Sequence, residues 1–140
     1  MSSASSNASS IVCPSIRADM DARKVRWEDH QREQLAPGIE RRFLYGERAM
    51  LAQVFLKKGT AVPKHTHESE QITYIVEGTL RLVLGDDGAR VFDVAAGEVL
   101  VIPSNVPHAA EALDDVVDID IFSPPREDWI KGQDAYLRGR

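Results

Sequence analysis

From Val25 onward the apolar residues come in short runs, several of them alternating with polar ones, and Gly, Pro, Asn and Asp divide the runs. Alternation with a period of two is what a strand with one buried face requires, because successive side chains point to opposite sides. The pattern predicts strands over Ile39–Tyr45, Met50–Leu56, Gln71–Glu77, Thr79–Leu84, Arg90–Val94, Glu98–Ile102, His108–Ala112 and Val116–Phe122. Between them, Ala36-Pro37-Gly38, Lys58-Gly59, Gly85-Asp86-Asp87-Gly88, Ala95-Ala96-Gly97 and Pro103-Ser104-Asn105 supply turn conformations that β-branched residues resist. Gly85–Gly88 between two alternating runs is a hairpin signal. No central stretch carries apolar residues at helical spacing over three turns. Helix is therefore confined to the ends, where Arg126–Ile130 after Pro124 and Pro125 can form a turn or two. Eight strands in about 100 residues point to two Greek keys closed into a jelly-roll β-barrel. The expected fold is all-β and single-domain, with a short C-terminal helical segment.

Length agrees with one domain, since 140 residues build one core and are too few for two ordinary ones. Residues 1–24 read as a disordered or extended leader, rich in Ser, Ala and Asn at its start, and residues 25–140 as the folded domain. The leader's start has neither the basic residues nor the apolar stretch of a secretory signal. A net charge of -5 speaks against nucleic acid and anionic membrane as partners, and no apolar run approaches the roughly 20 residues needed to span a bilayer. The single Cys13 has no internal disulfide partner, which fits a reducing, cytoplasmic setting.

Chemistry concentrates in the histidines. Three of the four, His65, His67 and His108, fall in two short segments bounded by Gly and Pro, whereas His30 stands alone and reads as a structural residue. In an extended strand His65 and His67 share a face, so both imidazoles aim at one point inside the barrel. If the chain stays extended, Gln71 shares that face while Glu68 and Glu70 look away. Three neutral imidazoles and an amide would leave the charge of a divalent transition metal uncompensated, a strong Lewis acid and an anchor for an anionic ligand. Nickel, zinc, manganese and iron all suit such a set. Gln71 can equally cap a buried polar group.

Two segments resemble the paired motifs of the cupin family. GTAVPKHTHESEQITYIVEG, Gly59 to Gly78, is similar to G-x5-H-x-H-x3-E-x6-G, and GEVLVIPSNVPH, Gly97 to His108, to G-x5-P-x-G-x2-H. Gln71 stands where the commoner motif has Glu, and Asn105 where it has Gly; Asn tolerates left-handed backbone, so the turn survives. The resemblance implies a metal held by His65, His67, Gln71 and His108. The amide variant looks like the subset used for isomerase, lyase and cyclase chemistry rather than for iron dioxygenases.

In the last strand Val117, Ile119 and Ile121 alternate with Asp118, Asp120 and Phe122. If the apolar face packs outward or on a partner subunit, the carboxylates line the cavity, where an Asp can act as general base or acid. Otherwise both are solvated on an exposed sheet face. Residues 120–129, DIFSPPREDW, resemble a stretch near the C-terminus of KdgF-type cupins of pectin and alginate breakdown. Those proteins open unsaturated uronate monosaccharides to the linear keto form. The resemblance implies that Asp120 moves the proton and Phe122 walls the pocket. Arg126 would grip the substrate carboxylate with its forked guanidinium, or else form a surface ion pair with Glu127 or Asp128. The resemblance also implies a homodimer. Thr73 shares the inward parity, and Trp27, Trp129 and Tyr136 flank the barrel, where aromatic residues more often cover its ends or form an interface than bind ligand.

The expectation is thus a metal-dependent isomerase or lyase acting on a small anionic sugar acid. Competing with it are an oxygen-dependent cupin dioxygenase, a polyketide cyclase-like cupin and a non-catalytic, metal-dependent binding module.

Overall fold

A computed structural model describes residues 21–139. Most of the expected leader, Cys13 included, lies outside the described residues. After a single 3-10 turn at Trp27–Asp29 come ten strands. They are β1 (Glu33–Ala36), β2 (Ile39–Tyr45), β3 (Met50–Leu56), β4 (Ala61–His65), β5 (Glu70–Glu77), β6 (Thr79–Leu84), β7 (Arg90–Ala95), β8 (Val99–Ile102), β9 (His108–Ala112) and β10 (Val116–Ser123). One turn of helix, α1 (Glu127–Ile130), follows. All eight expected strands form, with ends within a residue of those read from the alternation.

Two strands were not expected. Leu35 is the single buried residue of β1, so Glu33–Ala36 shows no alternation to read. Pro63 sits within β4, which is tolerated because that strand is an edge: the four-stranded sheet runs β4-β9-β6-β7. The second sheet runs β1-β2-β3-β10-β5-β8, and every strand pair is antiparallel. Consecutive strands switching between two facing sheets give the jelly roll.

The two sheets close on a core that includes Ile39, Leu56, Ile75, Leu80, Leu82 and Val116. In register, β10 sets Val116 opposite Leu56, Asp118 opposite Ile75, Asp120 opposite Thr73 and Phe122 opposite Gln71. The interior is therefore aliphatic toward Val116 and polar toward Gln71. After α1 the chain turns back over the barrel: Leu137 joins the core, and Asp134 meets the buried Arg41 of β2 while accepting from Arg138 Nε at 2.8 Å.

Candidate metal centre

His65 ends β4 and His108 begins β9, and the two are paired across the strands. His67 is not on a strand. The chain leaves the sheet after His65 and bends at Glu68 and Ser69 before β5 starts at Glu70, so it does not stay extended from His67 to Gln71. Asn105 N–H donates to the His67 carbonyl at 2.9 Å, Ser104 Oγ to the Glu68 carbonyl at 2.6 Å, and Ser69 Oγ to the Pro124 carbonyl at 2.6 Å. Asn105 makes this possible with a φ of 64°, the left-handed conformation expected of it. The bend comes after His67, between it and Gln71. Gln71 still faces inward and Glu68 and Glu70 outward, the outcome expected although the path differs.

The three ring systems meet with centroids 4.2 Å apart for His65 and His108, 4.9 Å for His67 and His108, and 5.6 Å for His65 and His67. Their ligand atoms lie within 4.8 Å of one another. His30 stays apart, at the 3-10 turn. In each of the three rings Nδ1 faces a backbone carbonyl: Pro63 at 2.8 Å for His65, Ser69 at 2.9 Å for His67 and Val106 at 2.8 Å for His108. A carbonyl only accepts, so each Nδ1 carries the hydrogen and each Nε2 is left with a bare lone pair. Short loops of the chain itself thus fix the tautomer that a metal ligand needs.

Burial holds the rings neutral. It lowers His65 to a pKa of about 3, helped by the neighbouring His108, Arg126 and His67 charges against the Pro63 carbonyl. His67 is lowered to about 4, by burial and then by Arg126 and His108. Burial also lowers His108, with the Val106 carbonyl opposing.

Gln71 fixes the fourth direction. Its amide nitrogen donates to Thr73 Oγ1 at 2.8 Å and faces Asp120 Oδ1 at 3.3 Å, and Thr73 Oγ1 donates to Asp120 Oδ1 at 2.7 Å. With the nitrogen committed to that side, Oε1 must face the other way, and it stands 3.1 Å from His67 Nε2. Two acceptors facing each other at this distance are unfavourable unless a cation or a proton lies between them, and the lowered pKa of His67 argues against the proton. His108 Nε2 is buried with no partner among the described residues. Orphaned lone pairs converging with an amide oxygen fit a divalent cation: neutral nitrogen and oxygen donors suit nickel, zinc, manganese and iron.

Behind the amide lie the two carboxyls of β10. Asp118 and Asp120 are both buried, at 4% and 5% exposure, so the reading that sets them on a solvated face is overturned. The apolar face packs outward instead, with Ile121 exposed. Burial pushes Asp118 well above the usual carboxylate range, and the Asp120 charge pushes it further. Asp120 is raised by burial and drawn back by hydrogen bonds from Asp118, Thr73 and Gln71. Both carboxyls of β10 thus bind a proton more readily than exposed ones, Asp118 the more so.

Phe122, 1% exposed, stands edge-on to His67 at 5.6 Å and to Trp129 at 5.1 Å. Arg126 is 3% exposed. Its ion pair is with Asp128, as one reading had it, but the pair is buried on the arginine side rather than on the surface; Glu127 pairs with Lys131 instead. Nε and Nη2 grip the Asp128 carboxylate at 3.0 and 2.8 Å, and Nη2 also donates to the Tyr136 hydroxyl at 2.5 Å. Beside this group a cavity of about 520 Å³ reaches His67 and Arg126 and is bordered by Tyr45 and Pro124. That is the size of a small-molecule site. Sequence reasoning left Tyr136 among the flanking aromatics and missed Arg41 altogether. The signal for Arg41 was its inward parity between Ile39 and Phe43 on β2.

Comparison with known proteins decides the family. The cupin domain family matches residues 52–122, half of the chain. This chain is a cupin. Among solved structures, KdgF from Halomonas sp. superimposes with a TM-score of 0.67 at 30% identity, covering 73% of this cupin and 93% of that chain. An RmlC-like cupin from Shewanella frigidimarina NCIMB 400 superimposes with a TM-score of 0.70 at 28% identity, over 78% and 96% of the two chains. Oxalate decarboxylase OxdC of Bacillus subtilis (strain 168) is 32% identical over 62 residues, 43% of this cupin but only 16% of the decarboxylase. The cupin fold, the KdgF-like resemblance and the three-histidine cluster identify a candidate metal-dependent cupin. No described helix is long and apolar enough to cross a membrane.

Proposed function

We propose that this cupin is a redox-neutral enzyme that opens 4,5-unsaturated uronates, with a divalent metal held by His65, His67, Gln71 and His108. The observation that carries the reading is the hydrogen-bonded line from Gln71 through Thr73 to Asp120, which couples a donor set for a metal to a buried carboxyl. The likeness to KdgF from Halomonas sp. supports it. A metal so held supplies Lewis acidity toward a sugar oxygen. In ring opening the hemiacetal hydroxyl loses its proton and the bond from the anomeric carbon to the ring oxygen breaks. The enol so formed takes a proton on carbon to become the ketone, with no net change of oxidation state. Asp120 is the group that carries the proton, its own affinity tuned by Asp118, Thr73 and Gln71. Phe122 walls the chamber and excludes water, and Arg126 provides the positive charge for the substrate carboxylate.

The outer face of the six-stranded sheet supports a homodimer. Ile121, Ile72 and Val101 lie side by side across β10, β5 and β8, as do Ile119, Tyr74 and Val99. Val99 and Val101 are more than half exposed, at 55% and 52%. A second copy of the chain is the partner we assign to this face. Cytoplasmic residence is part of the same reading, resting on the lone Cys13.

The test is anaerobic turnover of 4,5-unsaturated galacturonate by metal-loaded protein, followed as loss of the ring's ultraviolet absorbance against spontaneous decay. Acceleration abolished by chelator is expected, and Arg126→Ala should chiefly raise KM. No acceleration by fully loaded protein would remove the uronate and turn the search to oxygen-dependent substrates.

A further inference from the structure

Tyr136 lies in the chain after α1, outside both cupin motifs, yet its ring stacks on His65 with centroids 4.6 Å apart at an interplanar angle of 26°. Its hydroxyl oxygen accepts from Arg126 Nη2 at 2.5 Å and from Trp129 Nε1 at 3.3 Å. Two donors on one oxygen leave the phenolic hydrogen itself to be given, and among the described residues it has no acceptor. Arg126 is in the same position, with Nε and Nη2 engaged and no partner for Nη1 among the described residues. Two donors on neighbouring groups thus lie at the edge of the histidine cluster.

The segment that carries Tyr136 is held down. Asp134, fully buried, meets Arg41 and accepts from Arg138 Nε at 2.8 Å, while Arg138 Nη2 reaches Glu33 of β1 at 2.7 Å. Leu137 anchors the same stretch in the core. The cavity beside the cluster is lined by His67, Arg126 and Asp128; Tyr136 is outside that lining but is joined to it through Arg126 Nη2.

We propose that Tyr136 is a substrate-positioning residue whose hydroxyl, together with Arg126, forms a two-donor cradle for the carboxylate of a small sugar acid. The proposal rests on the uronate reading for the substrate class, but the cradle itself requires only a carboxylate beside the metal chamber. A cradle built from one fixed cation and one neutral donor prefers a carboxylate to the uncharged alcohol of a neutral sugar. The buried latch around Asp134 makes it rigid, which reduces the ordering cost of binding.

The test uses metal-loaded full-length protein and two measurements. Calorimetric titration with saturated galacturonate and with galactose reads the carboxylate preference without any reaction. Turnover of 4,5-unsaturated galacturonate reads KM against kcat. Tyr136→Phe keeps the ring on His65 and removes only the hydroxyl. It should weaken galacturonate binding and raise KM by about tenfold to a hundredfold, leaving metal content unchanged, kcat within about threefold and galactose binding as it was. Asp134→Asn, which loosens the latch, should move KM in the same direction. Unchanged galacturonate affinity in Tyr136→Phe overturns the cradle, as does a wild-type protein that binds no galacturonate. A wild type that binds galacturonate through Tyr136 but accelerates no ring opening overturns the reaction reading alone.

Discussion

Strands β6 and β5 adjoin in sequence, lie in opposite sheets and alternate in opposite senses. On β6, Leu80, Leu82 and Leu84 are buried and Arg81 faces out. On β5, Gln71 and Thr73 are buried, while Ile72, Tyr74 and Val76 face out. Strand β10 repeats the inversion with Asp118 and Asp120 inside and Ile121 outside. Polar groups inside and apolar groups outside cost stability on both counts. The inner set is tolerated because most of it is mutually hydrogen-bonded, leaving single orphan atoms such as His108 Nε2 and Asp118 Oδ1. The outer set makes sense if another surface covers it. The four-stranded sheet's β6 holds the fold together, whereas the six-stranded sheet gives up stability where β5 and β10 set polar groups inside and apolar groups outside.

The largest effect is expected from the inner face. Asp120→Asn should keep the metal and lower turnover by about a hundredfold to ten-thousandfold, the range of a lost general acid or base. Metal-loaded Asp120→Asn with wild-type turnover would separate the buried carboxyl from the reaction. Next come the elements that hold the barrel. Asp134→Ala leaves Arg41, which is 1% exposed, with only the partly exposed Glu33 at 3.3 Å, and should cost about 3 kcal/mol in urea unfolding. Leu82→Ala on β6 should cost about 2–5 kcal/mol and leave the turnover of still-folded protein largely intact, whereas Asp134→Ala, which also loosens the latch under Tyr136, should raise KM.

A pH series sharpens the comparison further. His65 and His67 sit far below their ordinary value of 6.5 in the fold. Below pH 6.5 the unfolded chain takes up protons that the folded one refuses, so metal-free protein loses stability as pH falls from about 6.5 toward about 4. Asp118 has the opposite sign: its raised pKa makes its contribution fall as pH rises through and above the carboxylate range. Thermal melts of metal-free protein should therefore weaken on acidification, and bound metal should steepen that slope because protons compete for the same nitrogens. A melt insensitive to pH between 6.5 and 4 would contradict the neutral, buried imidazoles.

The smallest effect on folding belongs to the outer face. Val101→Lys should change monomer stability by under about 0.5 kcal/mol and shift sedimentation from dimer to monomer. A wild type already monomeric at high concentration would leave the apolar grid without its assigned partner.

Where the sequence was legible follows from the same physics. Strict alternation put Thr73 on the face of Gln71, and Asp118, Asp120 and Phe122 on one face of β10, before any coordinates, because a period of two leaves no freedom; which face of β10 looks inward only burial decides. The histidines were found by spacing, but the extended path assumed from His67 to Gln71 is broken by a bend at Glu68 and Ser69, tied by Asn105, Ser104 and Ser69. Arg41 meeting Asp134, and Tyr136 lying on His65, join residues far apart in the chain. No local pattern encodes such contacts. Single-residue burial in β1 and the proline of edge strand β4 hid those two strands for the same reason, local signals too short to read.

The central claim is that the polar end of the barrel interior holds a metal at His65, His67, Gln71 and His108. Its most direct test is metal content by elemental analysis of purified wild type, His67→Ala and His108→Ala, with circular dichroism to check the barrel. About one equivalent of a divalent transition metal per chain in the wild type and none in either variant, all three folded, is the predicted result. Metal retained at full occupancy in both folded variants would contradict it.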